Sequence, residues 1–227
     1  MGLGIRALCS DLDGTLYDCD KELESCNYWL ARQTMEDAGL DNGLLREMDE
    51  LYKTMSFVEI LKILEREPYS VDERILRAGY NCYNNLEFGK INPSPDVILT
   101  LERFKEYGIK TALVTMGMPE RQQIKVGVLG IGDYFDELFF VSDFSPETSK
   151  GDCFRCFADK NDIPYNEVMV VGDKISKEIK EGNELGMTTV QILQGRHAER
   201  APMYSLEVPD HKISTFSEIL GIIGIAE

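Results

Sequence analysis

The sequence predicts an α/β fold: a doubly wound parallel sheet, with a small helical bundle inserted after its first strand. Three observations lead to this prediction. The apolar run from Ile5 to Ser10 is short and reads as a buried strand. Residues 18–92 carry helical patterns, and from about residue 93 apolar strands alternate with helical segments. Such alternation is typical of right-handed βαβ units, which build a parallel sheet with helices on both faces.

The segment after the first strand is predicted to contain four helices joined by short turns, as in a small bundle. Gly39 and Pro68 are plausible helix stops, and Ser70-Val-Asp-Glu73 resembles a capping box that opens the last helix. The predicted helices are Lys21 to Ala38, Leu44 to Met55, Phe57 to Arg66 and a segment running toward Tyr83. We therefore predict a helical domain over residues 18–92 and an α/β core over residues 1–17 and 93–227.

The core segment is predicted to begin with a helix at Ser94-Pro95, because proline favours the first position of a helix. Apolar runs then predict four more strands, with helices between them. The strands are Ile109 to Thr115, Leu138 to Val141, Val168 to Val171 and Thr189 to Leu193, the last of the predicted sheet. The helices are Pro119 to Leu129, one from about Gly151, Ile175 to Leu185 and a final one capped by Thr215-Phe-Ser-Glu218.

The composition argues against two classes of binding partner, nucleic acids and membranes. The 227-residue chain has a formal net charge of −16, which argues against general binding of nucleic acid. No apolar stretch reaches the roughly 20 residues that a membrane span requires, and no signal peptide is visible. We therefore expect a cytoplasmic protein without membrane or nucleic-acid partners, either a monomer or a homodimer.

The CxxC at Cys153 and Cys156 lacks a second pair at zinc-finger spacing, and helix packing explains it better than a metal.

Polar residues follow the predicted strands at one edge of the sheet. In doubly wound sheets, ligands bind beyond the carboxyl ends of the strands. The chain offers candidate groups there in four separate segments: Asp11 and Asp13, Thr115 and Met116, Lys150, and Asp173. This convergence is more specific than any one of the short motifs.

The pair Asp11 and Asp13 suits Mg²⁺ binding and attack on phosphorus, because two acids near a core need a compensating cation. Asp11 is the candidate nucleophile, and Asp13 is the candidate general acid that protonates the leaving oxygen and then deprotonates water. Oxygen ligands for Mg²⁺ are predicted from Asp11, the backbone carbonyl of Asp13, and Asp173. A simple turn is the alternative for this string, and an EF-hand calcium loop fits poorly because its later ligands are missing.

Lys150 and Glu178 complete the predicted site. Lys150 begins a predicted helix, where a cation opposes the helix dipole but adds to the phosphate affinity of a helix N-terminus. Lys150 is therefore a candidate phosphate ligand. Glu178 is predicted to brace Lys150 or to hold a metal-bound water. A solvated surface position is the alternative for both Lys150 and Glu178.

These segments together resemble the haloacid dehalogenase superfamily of phosphohydrolases. Asp11-Leu-Asp-Gly-Thr-Leu16 looks like its first motif, Leu113-Val-Thr115 like its second, and Lys150 like its third. Val170-Val-Gly-Asp173 and the residues up to Glu178 resemble its fourth motif. The resemblance implies a Rossmann-like core, Mg²⁺-dependent hydrolysis through an aspartyl-phosphate on Asp11, and a mobile helical cap over residues 18–92. It also implies that Thr115 and Lys150 bind the phosphate, with Met116 beside Thr115 as a further candidate ligand.

The predicted function is accordingly a Mg²⁺-dependent phosphatase for a small phosphorylated metabolite. Sugar phosphates, nucleoside monophosphates, phosphoglycolate and glyceraldehyde 3-phosphate are all compatible substrates. Three alternatives stay open: a phosphomutase or a phosphonatase of the same fold, and a homologue that binds small molecules without catalysis. The presence of both Asp11 and Asp13 favours catalysis on phosphate esters.

Overall fold

The computed structural model describes residues 4–85, 91–142 and 148–225. The chain divides into two compact units: Asp20–Gly89 forms one, and Met1–Cys19 together with Lys90–Glu227 forms the other. The described part of the first unit is helical, and the second unit contains the sheet. The predicted domain boundaries, and a separate functional role for each unit, stay predictions.

The helical unit contains a π-helical turn at Asp20–Glu24, followed by α1 (Ser25–Asp37), α2 (Asn42–Leu51), α3 (Phe57–Leu64) and α4 (Glu73–Tyr83). Its interior is aromatic: the Tyr28 ring stacks on Tyr52 with centroids 3.6 Å apart, and Phe57 meets Tyr28 edge-on. The hydroxyl of Tyr28 is satisfied, since it donates to Asp49 at 2.7 Å. Aromatic pairs contribute about 0.5–1.5 kcal/mol beyond the burial of their area, so this cluster holds the helices together.

Two of the helices that begin later than predicted share a feature. α4 begins after Asp72, whose carboxylate accepts a hydrogen bond from the Arg74 amide at 2.8 Å. The predicted capping box at Ser70 is wrong, because Ser70 has a φ of 44° and an N-cap residue is normally extended. In the other unit, α5 (Val97–Glu106) begins after Asp96 and not at Pro95. In both cases an aspartate directly precedes the first helical residue.

Within the described ranges, six strands form one parallel sheet. The strands are β1 (Ala7–Ser10), β2 (Lys110–Gly117), β3 (Glu137–Ser142), β4 (Val168–Gly172), β5 (Thr188–Ile192) and β6 (His211–Ile213). Their order is β3-β2-β1-β4-β5-β6, and every pair of neighbours runs parallel. The predicted doubly wound α/β fold is therefore confirmed. The strand order reverses at β1, so a ligand is expected in the crevice beyond β1 and β4.

The sheet also contains a strand that the sequence did not predict. The prediction ended the sheet at β5, but β6 pairs with β5 and places His211 opposite Val190. Three residues are too few to carry an alternating pattern. Pairing with β5 therefore decides that residues His211–Ile213 form a strand, and the sequence of these three residues alone does not predict it.

The sheet is covered by α5, α6 (Pro119–Leu129), α7 (Lys150–Lys160), α8 (Lys180–Glu184) and α9 (Glu218–Ile223), with a π-helical turn at Ile175–Ile179 before α8. α7 contributes Phe154 and Phe157 to a buried cluster with apolar side chains of the strands. Cys153 belongs to this cluster, while Cys156 is exposed. No helix in the part of the chain that the structure describes is long and apolar enough to cross a membrane.

Gly182 allows α8 to lie directly against the sheet. A β-carbon at this position would lie 2.8 Å from Thr189 Cγ2 and 3.3 Å from Val170. We expect Gly182→Ala to lower the free energy of unfolding by about 1–3 kcal/mol, the usual cost of overpacking. Gly127→Ala in α6 meets no atom within 4 Å, and should raise stability by about 0.5–1 kcal/mol. Urea denaturation measures both effects, and a shift of the same sign in both variants would contradict this packing.

Candidate active site

Asp11 and Asp173 directly follow the two central strands, β1 and β4, and both are buried. The Asp11 amide donates to the Val171 carbonyl at 2.9 Å, so Asp11 is held in line with the sheet. The chain then turns at Gly14, whose φ of +72° is unfavourable for residues with a β-carbon. A β-carbon on Gly14 would lie 2.7 Å from Asp173 Oδ2. Glycine at this position therefore lets the loop after β1 approach the Asp173 carboxylate.

Three buried carboxylates meet at this edge of the sheet: those of Asp11, Asp173 and Glu178. One oxygen from each lies within 4.8 Å of the other two. Glu178 reaches this position from the π-helical turn that follows β4. Gly172 makes room for it, since a β-carbon there would lie 2.5 Å from Glu178 Cγ. The structure thus brings together two of the residues predicted to bind metal, with Glu178 beside them.

Lys150 supplies an ammonium group to this cluster. It is the first residue of α7, whose start is capped by reciprocal hydrogen bonds between Ser149 and Asp152. Lys150 Nζ lies 2.6 Å from Asp11 Oδ1 and also donates to Glu178 Oε1. Lys150 and Glu178 are both buried, so a solvated surface position is wrong for each of them. The bracing role predicted for Glu178 stays a prediction.

Burial dominates the electrostatics of the three carboxylates. It raises the pKa of Asp11 to about 6, with Lys150 opposing this rise and Glu178 adding to it. Burial also raises the pKa of Asp173 well above its usual range; Lys174 opposes this effect, and the neighbouring acids strengthen it. Burial acts on Glu178 in the same direction, but the Lys150 ammonium brings the pKa of Glu178 below its usual value. The cluster is therefore short of positive charge.

The residues of the cluster fit a divalent cation. Asp173 Oδ1 is buried and has no hydrogen-bond partner among the described residues. A buried polar atom without a partner is costly, and more so when it belongs to a charged group. Carboxylate oxygens are also the ligands that Mg²⁺ prefers in proteins. A hard divalent cation would satisfy both the charge and the unpartnered oxygen.

The Asp13 side chain lies in a second group of contacts. Its Oδ1 atom accepts hydrogen bonds from Lys125 Nζ at 2.7 Å and from the Tyr17 hydroxyl. Its Oδ2 atom accepts from Gln122 Nε2 at 2.8 Å. Burial acts to raise the pKa of Asp13, but these three partners bring it well below its usual range. Asp13 is therefore held as a carboxylate with both oxygens occupied.

Gln122 also links Asp13 to the end of β2. Its Nε2 atom lies 2.8 Å from Thr115 Oγ1 and 3.0 Å from the carbonyl oxygen of Met116. The Met116 side chain packs against the apolar core, so any phosphate contact from this residue would come from its backbone. The phosphate contacts predicted for Thr115, Met116 and Lys150 stay predictions.

Neither Gln122 nor Lys125 was predicted from the sequence to be a site residue. Both are buried on α6, as is Arg121. A usable signal was the composition of this helix, which places polar residues where a helix that packs on a sheet normally carries apolar ones. The sequence alone does not say which buried partner would compensate them.

The chain resembles known proteins over most of its length. A family model described as haloacid dehalogenase-like hydrolase matches residues 5–186. A glyceraldehyde 3-phosphate phosphatase from Methanopyrus kandleri is 30% identical over 96% of this chain and 97% of that protein. A protein of the same name from Methanocaldococcus jannaschii is 28% identical over 96% of this chain and 97% of its own. A solved structure described as a predicted phosphoglycolate phosphatase from Haemophilus somnus matches with a TM-score of 0.70 at 21% identity, over 96% of this chain and 98% of that one.

These matches support different conclusions about the chain. The structural match, at 21% identity, supports the fold alone. The family model covers most of the chain, and the Methanopyrus kandleri relative aligns over nearly its whole length. The expected family and the prediction of a hydrolase are therefore confirmed: this chain belongs to the haloacid dehalogenase-like hydrolases.

Proposed function

We propose that the protein is a phosphatase that hydrolyses small phosphorylated metabolites through an aspartyl-phosphate on Asp11. The observation that carries this proposal is the position of the Asp11 carboxylate. It is buried at the ligand-binding edge of the sheet, 2.6 Å from Lys150 Nζ and grouped with Asp173 and Glu178. A carboxylate in such a position can attack phosphorus, because the neighbouring cation favours the approach of an anionic group.

The proposed reaction has two displacements at phosphorus. In the first, an oxygen of Asp11 forms a bond to phosphorus as the bond to the ester oxygen breaks. Asp13 starts as a carboxylate, takes the proton of the phosphate ester monoanion and passes it to the leaving oxygen. In the second, Asp13 removes a proton from water, the water oxygen bonds to phosphorus, and the bond to Asp11 breaks. Inorganic phosphate takes this proton from Asp13 and leaves, so both aspartates are carboxylates again.

The remaining residues of the site bind and orient the phosphate group. Thr115, the Met116 backbone and Lys150 are the proposed phosphate ligands, and Glu178 keeps Lys150 in position. Asp11, the Asp13 carbonyl and Asp173 are the proposed ligands of Mg²⁺. When bound, the cation neutralises negative charge on the phosphate and on the acids around it.

Glyceraldehyde 3-phosphate is the first substrate to test. Relatives that align with nearly the whole chain carry the name glyceraldehyde 3-phosphate phosphatase, which supports a small phosphate ester of this kind. The function of residues 18–92 as a cap, the cytoplasmic location and the oligomeric state stay predictions.

Phosphate release by the purified protein tests the proposed function. We expect inorganic phosphate from glyceraldehyde 3-phosphate and from p-nitrophenyl phosphate with Mg²⁺ present, and loss of at least about 99% of this activity with EDTA, because the acidic cluster then lacks its cation. A screen of other phosphorylated metabolites ranks the substrates. Transfer of phosphate to a sugar phosphate would favour a mutase. Release of phosphate from a phosphonate alone would favour a phosphonatase, and binding without turnover would favour a non-catalytic protein. Each of these results would contradict the proposal.

A further inference from the structure

We propose that Gln122 and Lys125 are positioning residues, which fix the Asp13 carboxylate relative to Thr115 for proton transfer to the leaving group. This inference rests on the proposed function, because Asp13 and Thr115 have their roles only in that reaction. Gln122 and Lys125 lie three residues apart on α6, so they present their side chains on one face of the helix. One helix face thus holds both oxygens of Asp13.

The orientation of the Gln122 amide follows from its neighbours. Its Nε2 atom lies within 3.0 Å of three oxygens, those of the Asp13 carboxylate, the Thr115 hydroxyl and the Met116 carbonyl. A carboxylate and a carbonyl only accept hydrogen bonds, so a donor nitrogen has to face them. Rotating the amide by half a turn would put its oxygen against two acceptors. The Gln122 amide nitrogen therefore donates both to the Asp13 carboxylate and to oxygens at the end of β2.

The contact with Gln122 also orients the Thr115 hydroxyl. A hydroxyl has one hydrogen to donate and two lone pairs that accept. The two hydrogens of Gln122 Nε2 are shared among three oxygens, and this nitrogen cannot accept. Thr115 Oγ1, 2.8 Å away, therefore takes part only as an acceptor, and its own hydrogen stays available for another acceptor. In the proposed reaction that acceptor is an oxygen of the phosphate. A single amide group would then set the distance between a phosphate ligand and the acid that protonates the leaving oxygen.

Lys125 fixes the other oxygen of the acid. Its Nζ atom lies 2.7 Å from Asp13 Oδ1, and its side chain is only 2% exposed. The ammonium group has little freedom to leave Asp13, whose side chain is 20% exposed, because a buried lysine cannot be solvated elsewhere without a large cost. Misplacing a reacting group by about 1 Å can cost about 100-fold in rate. Removal of the Gln122 or the Lys125 contact to Asp13 should therefore slow proton transfer to the leaving group.

The test compares substrates that differ in their need for a proton. The leaving group of glyceraldehyde 3-phosphate is an alkoxide that has to be protonated, whereas p-nitrophenolate leaves without a proton. We expect Gln122→Leu to lower the ratio of kcat/KM for glyceraldehyde 3-phosphate to kcat/KM for p-nitrophenyl phosphate by at least about tenfold. A merely structural loss would lower both values equally and leave the ratio unchanged. Gln123→Leu is the matched control, since Gln123 is the neighbouring glutamine on α6 and is exposed.

A second pair of variants keeps the test decisive if Gln122→Leu does not fold. Lys125→Met should lower the same ratio, and Lys125→Arg should restore most of it, because arginine also donates to Asp13. An unchanged ratio in Gln122→Leu, or in Lys125→Met when only that variant folds, would overturn the inference. If the wild type hydrolyses other alkyl phosphates, the best of them replaces glyceraldehyde 3-phosphate. If the wild type hydrolyses no phosphate ester, the proposed function fails, which is a different result from an unchanged ratio.

Discussion

Replacing Asp11 by asparagine is expected to lower kcat by at least about 1,000-fold, since removal of a nucleophile is among the largest losses known for single substitutions. Asparagine has nearly the same volume as aspartate and still accepts a hydrogen bond from Lys150, so the fold should persist. It lacks the carboxylate that forms the bond to phosphorus. The rate of p-nitrophenyl phosphate hydrolysis with Mg²⁺ measures the effect, and a thermal melt confirms that the variant is folded.

A matched substitution controls for the loss of one negative charge. Asp133 is exposed and lies in the short turn before β3, away from the carboxyl ends of the strands. Asp133→Asn should leave kcat within about twofold of the wild type, as expected for a surface change. If Asp11→Asn kept more than a tenth of the wild-type rate, Asp11 would not be the nucleophile.

Replacing Lys150 by methionine is expected to lower the free energy of unfolding by about 3–5 kcal/mol, the usual cost of breaking a buried ion pair from one side. Methionine keeps most of the apolar length of lysine but has no charge. Asp11 and Glu178 then lose the ammonium that both now contact. Urea denaturation at neutral pH in the presence of EDTA measures this loss without a contribution from bound metal.

Lys160 offers the same substitution on the same helix. It pairs with Glu137 at 3.1 Å, but 64% of its side chain is exposed. Exposed ion pairs contribute about 1 kcal/mol or less, so Lys160→Met should change stability by no more than that. Equal losses in the two variants would mean that the acidic cluster does not depend on Lys150.

The residues that the sequence identified share a simple property. Asp11, Thr115 and Asp173 stand at the ends of strands, or directly after them, and Lys150 begins a helix. A parallel sheet brings such positions to one edge, whichever residues surround them. An apolar run followed by a polar residue is a local pattern, so these positions can be read without knowing any contact.

The contacts of Asp13 could not be predicted in this way. Gln122 lies 109 residues from Asp13 along the chain, and Lys125 lies 112 residues away. Nothing in the local pattern of α6 says which acid would compensate its buried polar residues. The same limit explains the strand at His211–Ile213, where pairing with β5 decides the conformation. The start of α4 is a local choice between two candidate caps, and Asp72 caps the helix in place of Ser70.

The most direct test of this account is to locate the phosphoryl group on the enzyme. Asp13→Asn should still react with p-nitrophenyl phosphate, whose leaving group needs no proton, but should release the phosphoryl group slowly because the base is missing. Acid quenching, digestion and mass spectrometry of this variant then identify the modified peptide. We predict phosphate bound covalently to Asp11. Phosphate on another residue, or none on the enzyme while product is still formed, would contradict the account.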